Sequence, residues 1–222
     1  MRADFSRTPA IGVAAALTLA VSVGLTGCAE KSGQDTPAAS AVVRANGESG
    51  WNGTPLQRGY PLPEQTFTDT TGRGMVPARD ADGPVTLVFF GYTHCPDVCN
   101  VVLANIASAL RGSSDDVRDS VELLFVTTDP ARDTPRVVRE YLDRFDPAYE
   151  GLIAPVPTVE QAARQLHVAY ERPHDSSQHG YEVEHGTYTT AFVGGRARLV
   201  WSAETSVAGL RADLARLASA AT

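Results

Sequence analysis

Several residue types that define common functional classes are scarce in this sequence. Of its 222 residues, three are cysteine, two are methionine and one, Lys31, is lysine. Acidic residues outnumber basic ones by 26 to 19, so the net charge is −7 and no basic stripe for nucleic acid is present. Met75 is the only methionine besides the initiator, which excludes a methionine-rich surface for a soft metal ion. Redox or soft-metal chemistry therefore depends on the three cysteines.

The apolar run from Ile11 to Leu25 is too short for a permanent membrane span. As a helix it would reach about 22 Å, whereas a bilayer has a hydrocarbon core of ~30 Å. Because two arginines precede it, the run predicts a signal peptide over residues 1–27. Leu25-Thr26-Gly27-Cys28 resembles a lipobox, in which cleavage before the cysteine follows lipid attachment to its sulfur. We therefore expect a lipidated Cys28 that anchors the protein to the extracytoplasmic face of the cell membrane. A secretory signal with an incidental cysteine is the alternative.

Residues 28–50 predict a flexible tether between this anchor and the folded part. They are rich in Ala, Ser, Gly, Thr and Pro and show no hydrophobic periodicity. A flexible chain of this length would let the domain move about 26 Å from its anchor. From Trp51 onward strand and helix patterns follow one another, so we expect one domain over residues 51–222.

The hydrophobic patterns of this domain alternate between strands and helices. Val85 to Phe90 is apolar on both faces, which predicts a buried central strand in a sheet covered by helices. The helical spacing of Cys99, Leu103, Ile106 and Leu110 places a helix after it. The other predicted elements are a strand and turn at Phe67–Arg73, a strand at Val121–Val126, helices capped by Thr134, Thr158 and Ser206, a strand from Val168, and a hairpin turning at Gly194-Gly195. This order predicts an α/β, thioredoxin-like fold with a central β-sheet flanked by helices.

The stretch Gly91-Tyr92-Thr93-His94-Cys95-Pro96-Asp97-Val98-Cys99 joins the central strand to the next helix. If Pro96 takes the first helical position, Cys95 is the N-cap and Cys99 lies one turn further on the same face. Free amide groups and the dipole at this helix end stabilise anionic sulfur, and cysteine pKa values at such positions fall to about 3.5–7.5. Two thiolates held in this way can close into a redox-active disulfide or bind a soft metal ion.

The spacing of the cysteines helps to separate those outcomes. Thioredoxin-type oxidoreductases have two residues between their cysteines, whereas three separate Cys95 from Cys99. Two thiolates alone leave a metal site open, and thiolate with imidazole suits copper or zinc. A third ligand should therefore come from a histidine in a nearby loop. The candidates are His94, His167, His174, His179 and His185.

Four separated stretches resemble the SCO/SenC family of copper chaperones. They are Phe90 to Cys99, Tyr60-Pro61-Leu62-Pro63 through Asp69, Thr128 to Pro135, and Val183-Glu184-His185 before the strand Thr189 to Val193. The resemblance implies a membrane-tethered, thioredoxin-like protein that binds copper, Cu(I) or Cu(II), and delivers it to the CuA centre of cytochrome c oxidase. The CuA-bearing oxidase subunit would be the partner, with another copper carrier as a candidate source of the metal. The family's ligands, two cysteines and one histidine, fall on Cys95, Cys99 and His185.

Two positions depart from the family pattern without removing a ligand. Asn100 stands where members often have proline, and Glu184-His185-Gly186 replaces the usual Asp-His-Ser or Asp-His-Thr. The sequence also has no proline between His185 and Val193, whereas thioredoxins place a cis-proline before the corresponding strand. A metal ligand would thus replace the element with which thioredoxins grip their substrates.

An enzyme is the alternative from a different class. The same cysteines can cycle between dithiol and disulfide, so a thiol–disulfide oxidoreductase that reduces the apo-oxidase or another exported protein remains open. This hypothesis needs no His185. A purely structural Cys95–Cys99 disulfide is a further interpretation. A thiol peroxidase is disfavoured because no arginine that could activate the thiol lies between Gly83 and Leu110.

The remaining polar residues near these motifs are expected to have local roles. The histidines expected to be exposed or solvated are His94, His167, His174 and His179. Asp129, Arg132 and Asp133 are expected to cap the following helix and to pair with one another, with no catalytic role.

Overall fold

The computed structural model describes residues 50–170 and 186–221, which form an eight-stranded sheet with helices packed against it. The strands are β1 Thr54–Pro55, β2 Phe67–Asp69, β3 Gly74–Met75, β4 Val85–Gly91, β5 Val121–Thr127, β6 Glu150–Ile153, β7 Thr189–Val193 and β8 Arg196–Trp201. The helices are α1 Pro77–Asp80, α2 Val98–Arg111, α3 Asp115–Asp119, α4 Pro135–Leu142, α5 Val156–Gln165 and α6 Val207–Ala221. The sheet order is β1-β8-β7-β4-β5-β6-β2-β3. Within these described ranges no helix is both long and apolar enough to span a bilayer.

Strand β4 is the centre of the fold, as its uninterrupted apolar sequence predicts. All seven of its residues are buried, and it pairs in parallel with β5 and antiparallel with β7. Its alternate side chains enter two separate cores because successive residues of a strand point to opposite faces. Leu87 and Phe89 pack with α2, α4 and α6, whereas Val88 and Phe90 pack with α5 and Phe67. The predicted fold class is therefore confirmed.

The strand register brings three chain segments to one edge of the sheet. Gly91, the last residue of β4, pairs with Thr127, the last residue of the parallel strand β5. Because β7 is antiparallel, its first residue, Thr189, pairs with Phe89. The segments that follow β4 and β5 and the segment that precedes β7 therefore meet at the carboxyl end of β4. In open α/β sheets this is the end at which ligands bind.

The predicted helix caps and hairpin turn are mostly present. Thr134 accepts a hydrogen bond from Val137 N at the start of α4, and Ser206 accepts one from Gly209 N at the start of α6. The hairpin turns at two glycines, as the sequence indicates. Their φ angles are 56° and 73°, in the left-handed region that side chains disfavour.

Some predicted boundaries are wrong. α5 begins at Val156, with Pro157 in its first turn, so Thr158 lies inside the helix and does not cap it. Proline in the first turn loses no intrahelical hydrogen bond, which lets the helix begin before the apparent capping box. The strand predicted from Val168 is reduced to a single bridge at Tyr170 in the described residues. The four-residue strand β6 was not predicted, because so short a segment shows no clear periodicity.

A buried carboxylate on α6 fixes the start of the described chain. Asp213 is 0% exposed and accepts hydrogen bonds from the amides of Asn52 and Gly53, at 3.0 and 2.9 Å, and from Trp201 Nε1 at 2.8 Å. Charge-assisted hydrogen bonds of this kind are stronger than neutral ones. Asp213 therefore ties α6 and β8 to the first residues of the domain.

Candidate metal centre

Cys95 and Cys99 lie together in the turn between β4 and α2. Cys95 is 7% exposed and Cys99 is 0% exposed, and neither is in a disulfide. The amide of Cys99 donates a hydrogen bond to Cys95 Sγ at 3.5 Å, and the two side chains also hydrogen-bond to each other. The two cysteine side chains are therefore neighbours, as their spacing of four residues predicts.

The start of α2 differs from the sequence-based prediction. The helix begins at Val98, and its N-cap is Asp97, with φ −137° and ψ −85°, rather than Cys95. Cys95 instead lies in a preceding turn, where its amide donates to the carbonyl of Tyr92 at 3.2 Å. The Asp97 side chain makes no capping hydrogen bond, and Cys95 Sγ accepts one from the Cys99 amide in the first helical turn. The end of the helix therefore still supplies an amide to a cysteine sulfur, as expected, although Cys95 is not the N-cap residue.

The expectation of a lowered cysteine pKa is wrong for Cys99 in this state. The hydrogen bond with Cys95, burial and the nearby Cys95 sulfur all raise the pKa of the Cys99 thiol far above its usual range. A hydrogen bond from the backbone of Tyr92 opposes this shift but does not outweigh it. Cys99 is therefore a thiol here. Since metal ligation requires the thiolate, a metal ion bound at the pair would have to displace its proton.

Gly91, at the end of β4, packs closely against Cys99 and Phe125. A Cβ at this position would lie 3.1 Å from Cys99 Sγ and 2.8 Å from Phe125 Cε2, closer than carbon side chains normally pack. Phe125 in turn packs against the ring of Tyr141, with ring centroids 5.8 Å apart. A side chain at the end of β4 would therefore overlap Phe125 and press against the Cys99 sulfur.

Asp133 contacts the cysteine-bearing turn from the loop before α4. Its Oδ2 accepts hydrogen bonds from Thr93 N at 3.0 Å and Thr127 Oγ1 at 2.6 Å, and its Oδ1 accepts one from Thr93 Oγ1 at 2.6 Å. The carboxylate is 0% exposed. The expectation that Asp133 pairs only locally is therefore wrong, because its partner Thr93 lies 40 residues away. Nothing in the local sequence distinguishes it from Asp129, which does pair locally with Arg132 as expected.

The histidines divide between the described and the undescribed parts of the chain. His94 is exposed, and its Nδ1 lies 3.0 Å from Thr93 Oγ1. His167 is exposed, has φ of 54° and packs edge-on against Tyr60, with ring centroids 5.2 Å apart. Both positions agree with the sequence-based expectation. The other candidates, His174, His179 and His185, lie outside the described residues, as does the lipidation candidate Cys28.

The described residues supply two soft ligands and not a complete metal site. No group of three or more His, Cys, Asp or Glu side chains within residues 50–170 and 186–221 is placed to hold one ion. His94 therefore does not join the cysteine pair in this structure. A third protein ligand would have to come from a part of the chain that the structure does not describe.

The residues on either side of the segment 171–185 are hydrogen-bonded to one another and, through Thr128, to the carboxyl end of β4. Gly186 N donates to the carbonyl of Ala169 at 2.7 Å, which closes the base of this segment. Tyr170 Oη donates to the carbonyl of Thr128 at 3.2 Å, and Thr128 N donates to the carbonyl of Gly91 at 2.7 Å. The segment that carries three histidines thus leaves and rejoins the described fold at the edge where the cysteine turn begins.

Comparison with known proteins places this site in a family context. A family model described as SCO1/SenC matches residues 60–218. The chain is 31% identical over 123 residues to Protein SCO2, mitochondrial, of Saccharomyces cerevisiae, and 32% identical over 112 residues to Protein sco1 of Schizosaccharomyces pombe. These matches cover 55% and 50% of this chain but only 40% and 43% of the two relatives. The chain therefore matches less than half the length of these curated relatives.

Solved structures with the same fold are also similar. The apo Sco1 protein of Thermus thermophilus has a TM-score of 0.68 and 30% identity, covering 75% of this chain and 96% of that one. The Bradyrhizobium japonicum ScoI, solved with copper bound, has a TM-score of 0.61 and 30% identity, covering 74% and 98%. Yeast Sco1, at 23% identity and a TM-score of 0.65, shows the fold alone.

Proposed function

The chain belongs to the SCO1/SenC family, and from this membership we propose that it is a copper metallochaperone. In this proposal copper is the cargo, bound by Cys95, Cys99 and His185, and its destination is the CuA centre of cytochrome c oxidase. A lipid on Cys28 and the tether over residues 28–50 would hold the domain on the extracytoplasmic face of the membrane.

The observation that carries the proposal is the contact between Cys95 and Cys99. The two cysteine side chains lie together beyond the carboxyl end of the central strand, and each offers a sulfur ligand. Thiolate pairs suit Cu(I), and an added imidazole lets the same site hold Cu(II). A relative with 30% identity over nearly its whole length is solved with copper bound. The donor set of this chain therefore fits copper.

The described ends of segment 171–185 support His185 as the third ligand. Its covalent neighbour Gly186 is hydrogen-bonded to Ala169 at the edge of the sheet where the cysteine turn begins. Consecutive Cα atoms are only ~3.8 Å apart, so Gly186 limits how far His185 can lie from that edge. The antiparallel pairing of β4 and β7 ends at Phe89 and Thr189, so β7 is entered at the end of the sheet from which the cysteine turn leaves β4. Cys95 follows Phe89 by six positions, and His185 precedes Thr189 by four.

A three-ligand site is suited to transfer because its coordination is open. An incoming ligand from an acceptor protein can bind the copper before a donor ligand leaves, so the ion need not be released to solvent. The CuA-bearing oxidase subunit is the acceptor in this proposal, and another copper carrier is a candidate donor. The tether would let the domain reach both while it stays bound to the membrane.

The first test is copper titration of the reduced domain without residues 1–50, for wild type and ligand variants. Cys95→Ala and Cys99→Ala should each weaken copper binding by more than about 100-fold, because loss of a ligand exceeds the ~10–100-fold effect of losing a ligand's partner. His185→Ala should also weaken binding and remove the imidazole signature of the Cu(II) spectrum. His167→Asn is the matched control, since asparagine tolerates the left-handed φ of 54°. Unchanged copper binding in His185→Ala would refute the ligand assignment.

A thiol–disulfide oxidoreductase is the second candidate function. The two thiols are in contact on a thioredoxin-like fold, which is the arrangement that disulfide exchange requires. This activity needs both cysteines but no histidine. If His185→Ala loses copper affinity and the reduced wild type does not reduce a disulfide-bonded protein substrate, the chaperone function stands alone. If exchange is rapid in both proteins and copper binding is weak, the oxidoreductase is the better description.

The membrane anchor has a separate test. Expression of the full chain with radiolabelled palmitate should label the wild-type protein and leave Cys28→Ser unlabelled. The wild type should sediment with membranes, whereas the serine variant should not be cleaved at the lipobox. Equal labelling of the two proteins would contradict a lipid on Cys28.

A further inference from the structure

Asp133 is a buried carboxylate that holds the chain just before Cys95. It lies in the loop between β5 and α4, yet it accepts both the amide and the hydroxyl hydrogen of Thr93. It also accepts a hydrogen bond from Thr127, at the end of β5. One side chain thus joins the ends of two neighbouring strands two residues before the first cysteine.

From this geometry we infer that Asp133 is a positioning residue for the Cys95–Cys99 pair, acting through Thr93. The inference deepens the proposed copper function, on which its metal-binding consequence rests. The sequence suggested only helix capping and local pairing for Asp133. Its hydrogen bonds join it to Thr93 and Thr127 rather than to Cys95 or Cys99.

The positioning acts on the turn that contains Cys95. The amide of Cys95 donates to the carbonyl of Tyr92, so the turn is built on the residue before Thr93. Thr93 is anchored at both its amide and its hydroxyl, which leaves little freedom for the direction in which the turn leaves β4. Without the carboxylate, a part-buried amide and two hydroxyls would lose their acceptor, and the turn would gain conformations.

The same link reaches His94. The short hydrogen bond from Thr93 Oγ1 to Asp133 uses the only hydrogen of that hydroxyl, so Thr93 Oγ1 accepts from His94 Nδ1 at 3.0 Å. His94 Nδ1 lies 3.8 Å from Asp133 Oδ1. Asp133 therefore organises the three consecutive residues Thr93, His94 and Cys95, the first two by contact and the third through the turn.

The variant Asp133→Asn keeps the size of the side chain and can keep its hydrogen bonds, whereas Asp133→Ala loses both. The asparagine carbonyl can accept the Thr93 amide, and the asparagine amide group can donate to a hydroxyl, since a threonine hydroxyl both donates and accepts. Alanine removes every one of these contacts. A positioning role therefore predicts that Asp133→Asn retains more of the wild-type copper affinity and dithiol–disulfide equilibrium than Asp133→Ala does.

Asp213 provides a matched control elsewhere in the fold. Both carboxylates are 0% exposed, and both accept backbone and side-chain hydrogen bonds from residues distant in sequence. Asp213→Ala should lower the stability of the protein, as Asp133→Ala should. The hydrogen bonds of Asp213, however, join it to Asn52, Gly53 and Trp201 and not to the cysteine turn. General destabilisation is thereby separated from positioning.

The experiment compares the folded wild type, Asp133→Ala, Asp133→Asn and Asp213→Ala at a temperature at which all are native by circular dichroism. The first readout is copper affinity together with the Cu(II)–thiolate absorption band. The second is the dithiol–disulfide equilibrium of the pair in a glutathione buffer. There the S–S bond of glutathione disulfide breaks and the Cys95–Cys99 bond forms, and two electrons and two protons pass to two glutathione thiols.

We expect Asp133→Ala to lower copper affinity by at least about tenfold, to shift the absorption band, and to move the glutathione equilibrium toward the dithiol by at least about threefold, because a looser turn closes less readily. Asp133→Asn should lie closer to wild type than Asp133→Ala in all three quantities, and Asp213→Ala should match wild type. The inference is overturned if Asp133→Ala matches wild type in the glutathione equilibrium, or if Asp213→Ala changes it equally. Should wild type fail to bind copper while the glutathione shift persists, the positioning role stands and the proposed copper function fails.

Discussion

The substitution Gly91→Ala tests whether the end of β4 is shaped by its contact with the cysteine pair. An alanine Cβ would lie 2.8 Å from Phe125 Cε2, 3.1 Å from Phe89 Cε1 and 3.1 Å from Cys99 Sγ. Each of these neighbours is 0% exposed, so none can move into solvent to relieve the overlap. Gly91 is not among the residues with positive φ, so the expected effect comes from packing and not from backbone strain.

The magnitude follows from two opposing contributions. Forcing one extra carbon into a well-packed core destabilises a protein by about 1–3 kcal/mol. Replacing glycine by alanine also restricts the unfolded chain, which stabilises the folded state by about 0.4–1 kcal/mol. We therefore expect Gly91→Ala to lower the free energy of unfolding by up to about 2.6 kcal/mol relative to wild type.

Gly74→Ala is the matched control for this prediction. Gly74 is also a strand glycine without a positive φ, but its Cβ would meet only Thr66 Cγ2, at the ordinary distance of 3.8 Å. This variant should be as stable as wild type or slightly more stable. Urea unfolding of the reduced domain, followed by circular dichroism, measures both differences. If Gly91→Ala is no less stable than Gly74→Ala, the close packing of Gly91 against Phe89, Phe125 and Cys99 does not restrict the side chain at position 91.

Three further stability predictions follow from buried polar groups. Tyr141→Phe should raise the free energy of unfolding by about 1 kcal/mol, because the buried Tyr141 hydroxyl has no hydrogen-bond partner among the described residues. Urea titration measures this difference, and a loss of stability would mean that the hydroxyl has a partner. Trp201→Phe should lower the free energy of unfolding by about 2–4 kcal/mol, since it removes the indole donor to Asp213 and leaves a cavity, and a thermal melt with unchanged Tm would contradict this. Burial raises the pKa of Glu122 despite hydrogen bonds to its carboxylate, among them one from the amide of Gly83, so the folded state keeps the Glu122 proton to higher pH than the unfolded state. Burying the charge is therefore unfavourable above the raised pKa, and Glu122→Gln should be more stable than wild type at neutral pH, with the difference shrinking as the pH falls through that pKa. Unfolding measured from pH 4 to pH 8 checks the sign, and a difference that grows toward acid would refute it.

The elements that sequence patterns predicted well are those whose signals are local. Strand β4 follows from an unbroken apolar run, and the hairpin between β7 and β8 follows from two adjacent glycines. The approach of Cys95 to Cys99 was predicted from their spacing of four residues, although Cys95 lies in the turn before α2 and not in the helix. In each case the physical cause lies within a few residues, so neighbouring letters are enough to predict it.

The predictions that failed depend on contacts that the local sequence does not contain. The start of α2 at Val98 depends on the non-helical backbone of Asp97. The raised pKa of Cys99 depends on burial and on the second thiol, whereas the expectation of a lowered pKa considered only the helix end. The role of Asp133 depends on a partner 40 residues away.

By itself, the sequence determined the thioredoxin-like α/β fold, the two neighbouring thiols and the family resemblance that the family match confirms. These properties depend on periodicity, spacing and motifs, which involve residues close together in the sequence. Only the tertiary structure decided that a Cβ at Gly91 would crowd Phe125 and Cys99, that the pKa of the Cys99 thiol is raised, and that Asp133 accepts hydrogen bonds from Thr93. The physical reason is that burial and hydrogen bonding at the end of β4 come from β5, the loop before α4 and α2 together, and these segments meet only when the sheet forms.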